Sequence, residues 1–507
     1  MRALFARFAL ELAVFTCGGL VMVYEIIGSR IVSPFIGTST YVWTSLIGVI
    51  LAALSLGYWI GGRMADRRPD IKVLAAAIFL AGGAVSLTIL IKDAILSIIS
   101  AAGGPLELKA VAAAALLFAP ASVLLGFVTP YAVKLRTLSL EDSGKTVGRL
   151  YALSTVGSIA GTFAAGFLLI PFLGSTRTLY LIAALLFVVS LLLAPFAFGR
   201  SSFVALILFV FGVAGSEYSS YYMRTVHGLV DTDTEYSRIQ VFRSKDAETG
   251  REFQAIATDP FFAQSAMYLD DGSPVFDYVP FYALIRHYKP DHSYSLMIGG
   301  AGYTLPREYL RTYPEARMDV VEIDPQMTEI AREYFHLKDD PRMRIFHEDG
   351  RVFLNRADAG NYDAVMIDAF GSLFSIPFQL TTFEAVGHVS RVLKPDGIVI
   401  VNIGSAFTGQ AGRFLQAEYN TYKAVFPDVL LYKVRLDRAD SELQNVVLIA
   451  CKARCNAEGS IDPEISKLLP HLYRNESFFE SNTLPVLTDD LAPVEHYNSL
   501  ALRASRR

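Results

Sequence analysis

Cysteine is nearly absent: the chain has three in 507 residues, too few for a disulfide framework to hold a fold. Cys17 falls in an apolar helical stretch and reads as a small packing residue. Cys451 and Cys455 can pair or stay free, and with no neighbouring His or Cys they make a poor metal site. Histidine and tryptophan are sparse too, at eight and two. Neither a metal nor a bound cofactor is expected. Charged residues make up only 19% of the chain, with a net charge of −4 and a pI near 6.1. A nucleic-acid partner needs a basic field, and this chain has none.

What the chain has in place of charge is apolar length. It is 52% hydrophobic with a mean hydropathy of +0.38, too apolar for one soluble protein, and its length implies two or three domains. The excess lies almost wholly before residue 222. Seven segments, at about 8–29, 41–61, 73–91, 110–131, 147–172, 178–197 and 202–221, approach the ~20 residues that cross a bilayer. The first is too long, and too closely followed by the next, to be a cleaved signal peptide. The short run Lys92–Gly104 reads as an interfacial or re-entrant helix and makes the count seven or eight. The expected organisation is a helical membrane domain over 1–222, a linker with a small antiparallel β segment over 223–290, and an α/β domain over 291–507.

Under seven spans, Arg2, Arg7, the loop Arg63–Lys72, Lys134, Arg136, Lys145 and Arg149 share one side, which the positive-inside rule makes cytoplasmic. The same count puts everything after residue 222 outside. Gly57 and Gly61, and Gly157 and Gly161, are spaced for close helix approach, inside one bundle more readily than between two copies. Glu25 and Arg30 sit near the end of the first span, where an ionisable side chain is either functional or snorkels to the headgroups. GGRMADRR (Gly61–Arg68) resembles a loop of major-facilitator transporters, over a fragment only.

After a tyrosine-rich exit (Ser216–Phe242) the pattern changes to alternating strands, with turns at Glu248–Gly250 and Asp271–Gly272, then a helix over Tyr278–Tyr288. From Leu296 strands and helices alternate, with strands at 296–298, 319–323, 343–347, 363–367 and 398–402 and a hairpin-like pair at 429–435 and 444–451. That is a doubly wound, mostly parallel sheet, whose ligands sit at the carboxyl ends of its strands. Three of those ends carry a carboxylate: Glu322, Asp349 and Asp368. Gly299, Gly300 and Gly302 follow the first strand, and Glu322 follows about twenty residues later, a pattern that suits an adenosine-type ligand.

The motifs EYSRIQV, LDDG, GGAG, VEIDP, HEDGRVFL, YDAVMIDAF and LKPDG, from Glu235 to Asn402, together resemble the aminopropyltransferase (spermidine synthase) family. The multi-span first half and LTDDLAPVE (Leu487–Glu495) resemble its bacterial membrane-fused branch. The resemblance implies a multi-span helical domain followed by a class I methyltransferase-like, Rossmann-like spermidine synthase domain with a small β segment at its start. It implies S-adenosylmethionine or its decarboxylated form as substrate, methylthioadenosine as product and a polyamine as acceptor. The setting it implies is a homodimer in a bacterial inner membrane, with the lipid bilayer as partner. Glu322 then accepts the ribose hydroxyls, Asp349 beside Gly350 meets the adenine, and Gly300 and Gly302 let the backbone close on the nucleoside. Asp368 stands at the reacting centre, and Tyr236 contacts substrate.

Three departures fall on the acceptor side. Gly371 stands where the family has a second aspartate, Ser237 replaces a glutamine, and Ser273-Pro274-Val275 lacks another. Asp489 and Asp490, with Glu495, are candidates for a replacement acidic pocket. Loss of acceptor residues admits a lyase reading, in which intact S-adenosylmethionine yields methylthioadenosine and homoserine lactone. A methyltransferase, and a nucleoside or polyamine sensor without catalysis, complete the alternatives. Because S-adenosyl compounds are made in the cytoplasm, ligand supply points the catalytic domain inward, and an eighth segment within 92–109 reconciles that with the loop charges.

Overall fold

A computed structural model describes residues 2–37, 39–137, 143–194, 200–226, 228–258, 262–370, 376–456, 459–480 and 482–504. The chain divides into two compact units, Met1–His227 with Asp231–Arg238, and Gly228–Val230 with Ile239–Arg507.

The first unit is helical. Among the described residues five helices are long and apolar enough to cross a membrane, or six when a bent pair counts as one. The sequence reading finds seven segments, and the difference has two sources. Leu106–Leu117 and Ala119–Arg136 form the pair, bent by 53° where Pro120 removes a backbone donor. The Leu117 carbonyl at that break accepts the Tyr24 and Thr88 hydroxyls, at 2.9 and 2.8 Å. Ser143–Leu193 runs as 51 residues but is broken at Gly174, whose φ of +74° lies in the left-handed region. Lys92–Ala101 forms no separate helix; it continues the helix Ile71–Ala101. The spaced glycines are used within the unit: a Cβ on Gly57 would lie 2.1 Å from the Val123 carbonyl oxygen, and one on Gly157 2.0 Å from that of Phe15.

The strands, in chain order, are β1 (Val230–Asp233), β2 (Arg238–Lys245), β3 (Glu252–Ala257), β4 (Ala263–Tyr268), β5 (Tyr294–Ile298), β6 (Arg317–Val321), β7 (Met343–Phe346), β8 (Tyr362–Ile367), β9 (Leu393–Ser405), β10 (Asp428–Lys433) and β11 (Gln444–Cys451). In the second unit β2, β3 and β4 pair antiparallel. Seven strands form the main sheet in the order β10-β11-β9-β8-β5-β6-β7. β9, β8, β5, β6 and β7 run parallel, and β11 turns back antiparallel to β9 and β10. The central strands are largely apolar because both faces are covered: Leu296, Ile298, Val365 and Val399 face one layer, Met297, Met366 and Ile400 the other. The expected helix over Tyr278–Tyr288 is a 3₁₀ turn, Val279–Leu284 with Pro280 in its first positions, leading into one short turn of α-helix. Cys451 and Cys455 are joined in a disulfide.

Candidate active site

The parallel order β8-β5-β6 brings three strand ends side by side. After Ile298 the chain turns through Gly299 at φ +95°, where a Cβ would lie 2.6 Å from the Asp368 carbonyl oxygen. Only glycine permits that approach. Ala301 and Tyr303 follow at φ 44° and 54°, conformations that cost about 1–3 kcal/mol each for such residues. Glu322 offsets the cost. Its Oε2 accepts the N–H groups of Gly300 and Ala301 at 2.9 and 3.0 Å, and its Oε1 that of Asp324 at 3.0 Å. Glu322 is 7% exposed; burial pushes its carboxyl pKa up, and the three N–H donors pull it back. A carboxylate has about four acceptor positions, so one remains for a ligand. Gly302 packs against Ser265, whose Oγ would lie 2.6 Å from a Cβ there.

Asp349 caps the helix Gly350–Arg356, its Oδ1 accepting the N–H groups of Arg351 and Val352 at 2.8 and 3.1 Å. Among the described residues its Oδ2 accepts only a long bond from Gln379, at 3.4 Å. A Cβ on Gly350 would lie 2.7 Å from Ile298 Cγ2, so its absence seats this helix against the end of β5. The capping and ligand readings therefore involve different oxygens of one carboxylate.

Asp368, past the end of β8, is partly buried. Tyr278 donates its hydroxyl to Oδ2 at 2.8 Å, and Asn402 donates Nδ2 to Oδ1 at 2.9 Å. Asn402 is itself oriented by Asn445, which donates to its Oδ1 at 2.9 Å. Desolvation pushes the Asp368 pKa up, and the Asn402 and Tyr278 bonds lower it. The Tyr282 hydroxyl is buried with no hydrogen-bond partner among the described residues, and it feels the Asp368 charge.

The structure thus gathers Gly300, Gly302, Glu322, Asp349, Gly350 and Asp368 at one edge of the sheet. Asp489 reaches the neighbouring helix, but its carboxylate is engaged: Arg351 meets Oδ2 at 2.8 Å and the Thr382 hydroxyl meets Oδ1 at 2.6 Å. Asp490 is exposed in the turn Thr488–Leu491. Tyr236 belongs to the helical unit, in a turn where its N–H donates to Thr234 Oγ1 at 3.1 Å. Gly371 lies outside the described residues. Sequence reasoning missed Tyr278, Tyr282, Asn402 and Asn445. The two tyrosines fall in the stretch read simply as a helix, and the two asparagines sit inside strands. An asparagine in an otherwise apolar central strand was the available signal. Among the described residues no group of three or more His, Cys, Asp or Glu is placed to hold a metal ion.

Residues 283–455 match the spermine/spermidine synthase domain family. A polyamine aminopropyltransferase of Vibrio vulnificus is 31% identical over 149 residues, 29% of this chain and 48% of that protein. Polyamine aminopropyltransferase 1 of Streptomyces coelicolor is 26% identical over 430 residues, 79% of this chain and 77% of that protein. A match of that length necessarily reaches into the helical half. The chain thus spans about half the length of the Vibrio relative, and about three quarters of the Streptomyces one. A probable spermidine synthase from Corynebacterium glutamicum aligns with a TM-score of 0.43 at 20% identity, covering 51% of this chain and 96% of that one. The chain carries a spermine/spermidine synthase domain behind an amino-terminal multi-helix unit.

Proposed function

We propose that this protein is a multi-pass membrane enzyme, working as a homodimer in a bacterial inner membrane. It binds decarboxylated S-adenosylmethionine, transfers the aminopropyl group to an amine and releases methylthioadenosine. The observation that carries the reading is the carboxylate of Asp368, fixed by Tyr278 and Asn402 beside the glycine turn that Glu322 holds. The adenosine rests on the backbone of that turn, with the ribose at Glu322 and the adenine at the Oδ2 side of Asp349. The amine nitrogen attacks the carbon next to the sulfonium; the carbon–sulfur bond breaks and its electron pair stays on sulfur, giving a neutral thioether. The new ammonium gives up one proton. A carboxylate at that point attracts the amine and takes the proton. The sulfonium is already a good leaving group, so most of the acceleration comes from alignment.

One observation favours a second reading. Asp489 is spent on Arg351 and Thr382, so this tail acid is not free to receive a polyamine. Intact S-adenosylmethionine needs no acceptor: its own carboxylate attacks the same chain, giving homoserine lactone and methylthioadenosine. Purified protein incubated with either donor, with and without putrescine or spermidine, separates the two by mass spectrometry. Methylthioadenosine that requires the decarboxylated donor and an amine supports transfer. Methylthioadenosine from intact donor alone supports the lyase. No product lost on Asp368→Asn, from either donor, overturns both.

A further inference from the structure

The two ends of the helical unit differ in chemistry. At one end Glu11 meets Arg136 and Arg149, at 3.4 and 2.9 Å, Lys134 meets Asp66 at 2.8 Å, and the Tyr131 hydroxyl donates to the Arg68 carbonyl. These contacts gather the basic loops that the sequence alone placed together. Arg30 lies nineteen residues further along the same helix as Glu11, about 28 Å at 1.5 Å per residue, close to the thickness of a bilayer core. There its guanidinium donates to the carbonyls of Thr234 and Glu235. At that end, too, the Ser175 N–H donates to Asp233 Oδ2 at 2.7 Å. The chain therefore leaves the bundle at the end opposite the basic loops.

The helix path agrees. Ser175 lies at the exit end through Asp233, while the Ser190 hydroxyl donates to the Ala75 carbonyl at 2.6 Å, near the start of Ile71–Ala101 and so at the basic end. The chain reverses at Gly174, and the 51-residue run makes two passes. With the bent pair as one, the passes are seven, and the continuous helix through Lys92–Ala101 removes the eighth that would bring the chain back. A second observation is independent of topology. Both cysteines of the second unit are joined, Cys451 at the end of β11 to Cys455, whose N–H is held by Asp428 at 2.9 Å. The one free cysteine, Cys17, is buried in the helical unit. Disulfides persist in oxidising compartments and are rare in the cytosol.

We infer that the synthase-like unit works on the non-cytoplasmic, oxidising face of the membrane and draws its reactants from that compartment. This rests on the reading of the first unit as a bilayer-spanning bundle. A permanently charged sulfonium does not cross a bilayer unaided, so a transport step must precede this reaction and supply any donor made inside the cell.

The test uses the full chain in spheroplasts, with single cysteines introduced as Glu248→Cys in the exposed turn of the second unit or Lys72→Cys in the exposed first turn of Ile71–Ala101, at the basic end. An impermeant maleimide labels Glu248→Cys equally before and after permeabilisation, and Lys72→Cys only after. In parallel, denatured whole-cell protein takes up one alkyl group before reduction, at Cys17, and three after. Protection of Glu248→Cys until permeabilisation, or three alkyl groups without reductant, overturns the inference. Loss of the chain from carbonate-washed membranes overturns the bilayer reading itself, and is distinguishable because no labelling pattern is involved.

Discussion

Tyr278 donates its hydroxyl to Asp368 Oδ2 across 2.8 Å, joining the 3₁₀ turn before β5 to the end of β8. The bond fixes which way the carboxylate points and makes its basicity depend on a residue 90 positions earlier. Asn402 holds the other oxygen, so the group a reacting amine would meet is oriented before any ligand arrives.

Asp368→Asn keeps the shape and both hydrogen-bonding neighbours but removes the base. Turnover should fall by about 10²–10⁴, the range that positioned general bases contribute. The melting temperature should hold or rise, because the variant buries no charge. Methylthioadenosine formation and a thermal melt, on one preparation, check the two halves.

The pH profile follows from the same contacts. Desolvation raises the Asp368 pKa above its ordinary value of 3.8, while the Asn402 and Tyr278 bonds pull it down. The acid limb of the rate profile therefore lies above that of an ordinary aspartate. Tyr278→Phe removes one of the lowering bonds, so the limb should move to higher pH. A downward or absent shift in kcat against pH sinks the assignment of Asp368 as the titrating base.

The strands were legible because the central ones carry apolar runs that end in recognisable punctuation, a glycine turn after Ile298 and carboxylates at Glu322 and Asp368. Packing across long sequence distances was not. Nothing near Asp489 announces that its partner is Arg351, 138 positions away. The charges of Lys92 and Asp93 looked like a helix boundary, yet Lys92 is 3% exposed and pairs with Asp93 at 2.9 Å inside a continuous helix. Tyr282 was hidden for the same reason: its ring packs like core, and only the fold shows a hydroxyl without a partner among the described residues that feels the Asp368 charge.

That hydroxyl yields a prediction of opposite signs. A buried polar group without a partner costs about 1–3 kcal/mol, so Tyr282→Phe should leave the ligand-free protein as stable or more stable. If the hydroxyl receives its partner from the bound ligand, the same variant should bind donor or acceptor several-fold more weakly. Thermal melts with and without ligand measure both, and loss of stability in the ligand-free variant contradicts the assignment.

Glu418 supplies a stability prediction away from the site. It is fully buried on the helix Arg413–Lys423, and neither carboxyl oxygen has a hydrogen-bond partner among the described residues. Burial pushes its pKa well above the ordinary 4.5. The folded protein then keeps this proton at pH values where the unfolded chain releases it. Its contribution to stability is complete below about pH 4.5 and is lost as pH rises from there towards the folded-state pKa. Glu418→Gln retains the shape and removes the titration, so the fall in melting temperature between pH 5 and pH 8 should be shallower than in the parent. Parallel melts across that range decide the matter: identical slopes mean that Glu418 is ionised in the folded state and holds a partner.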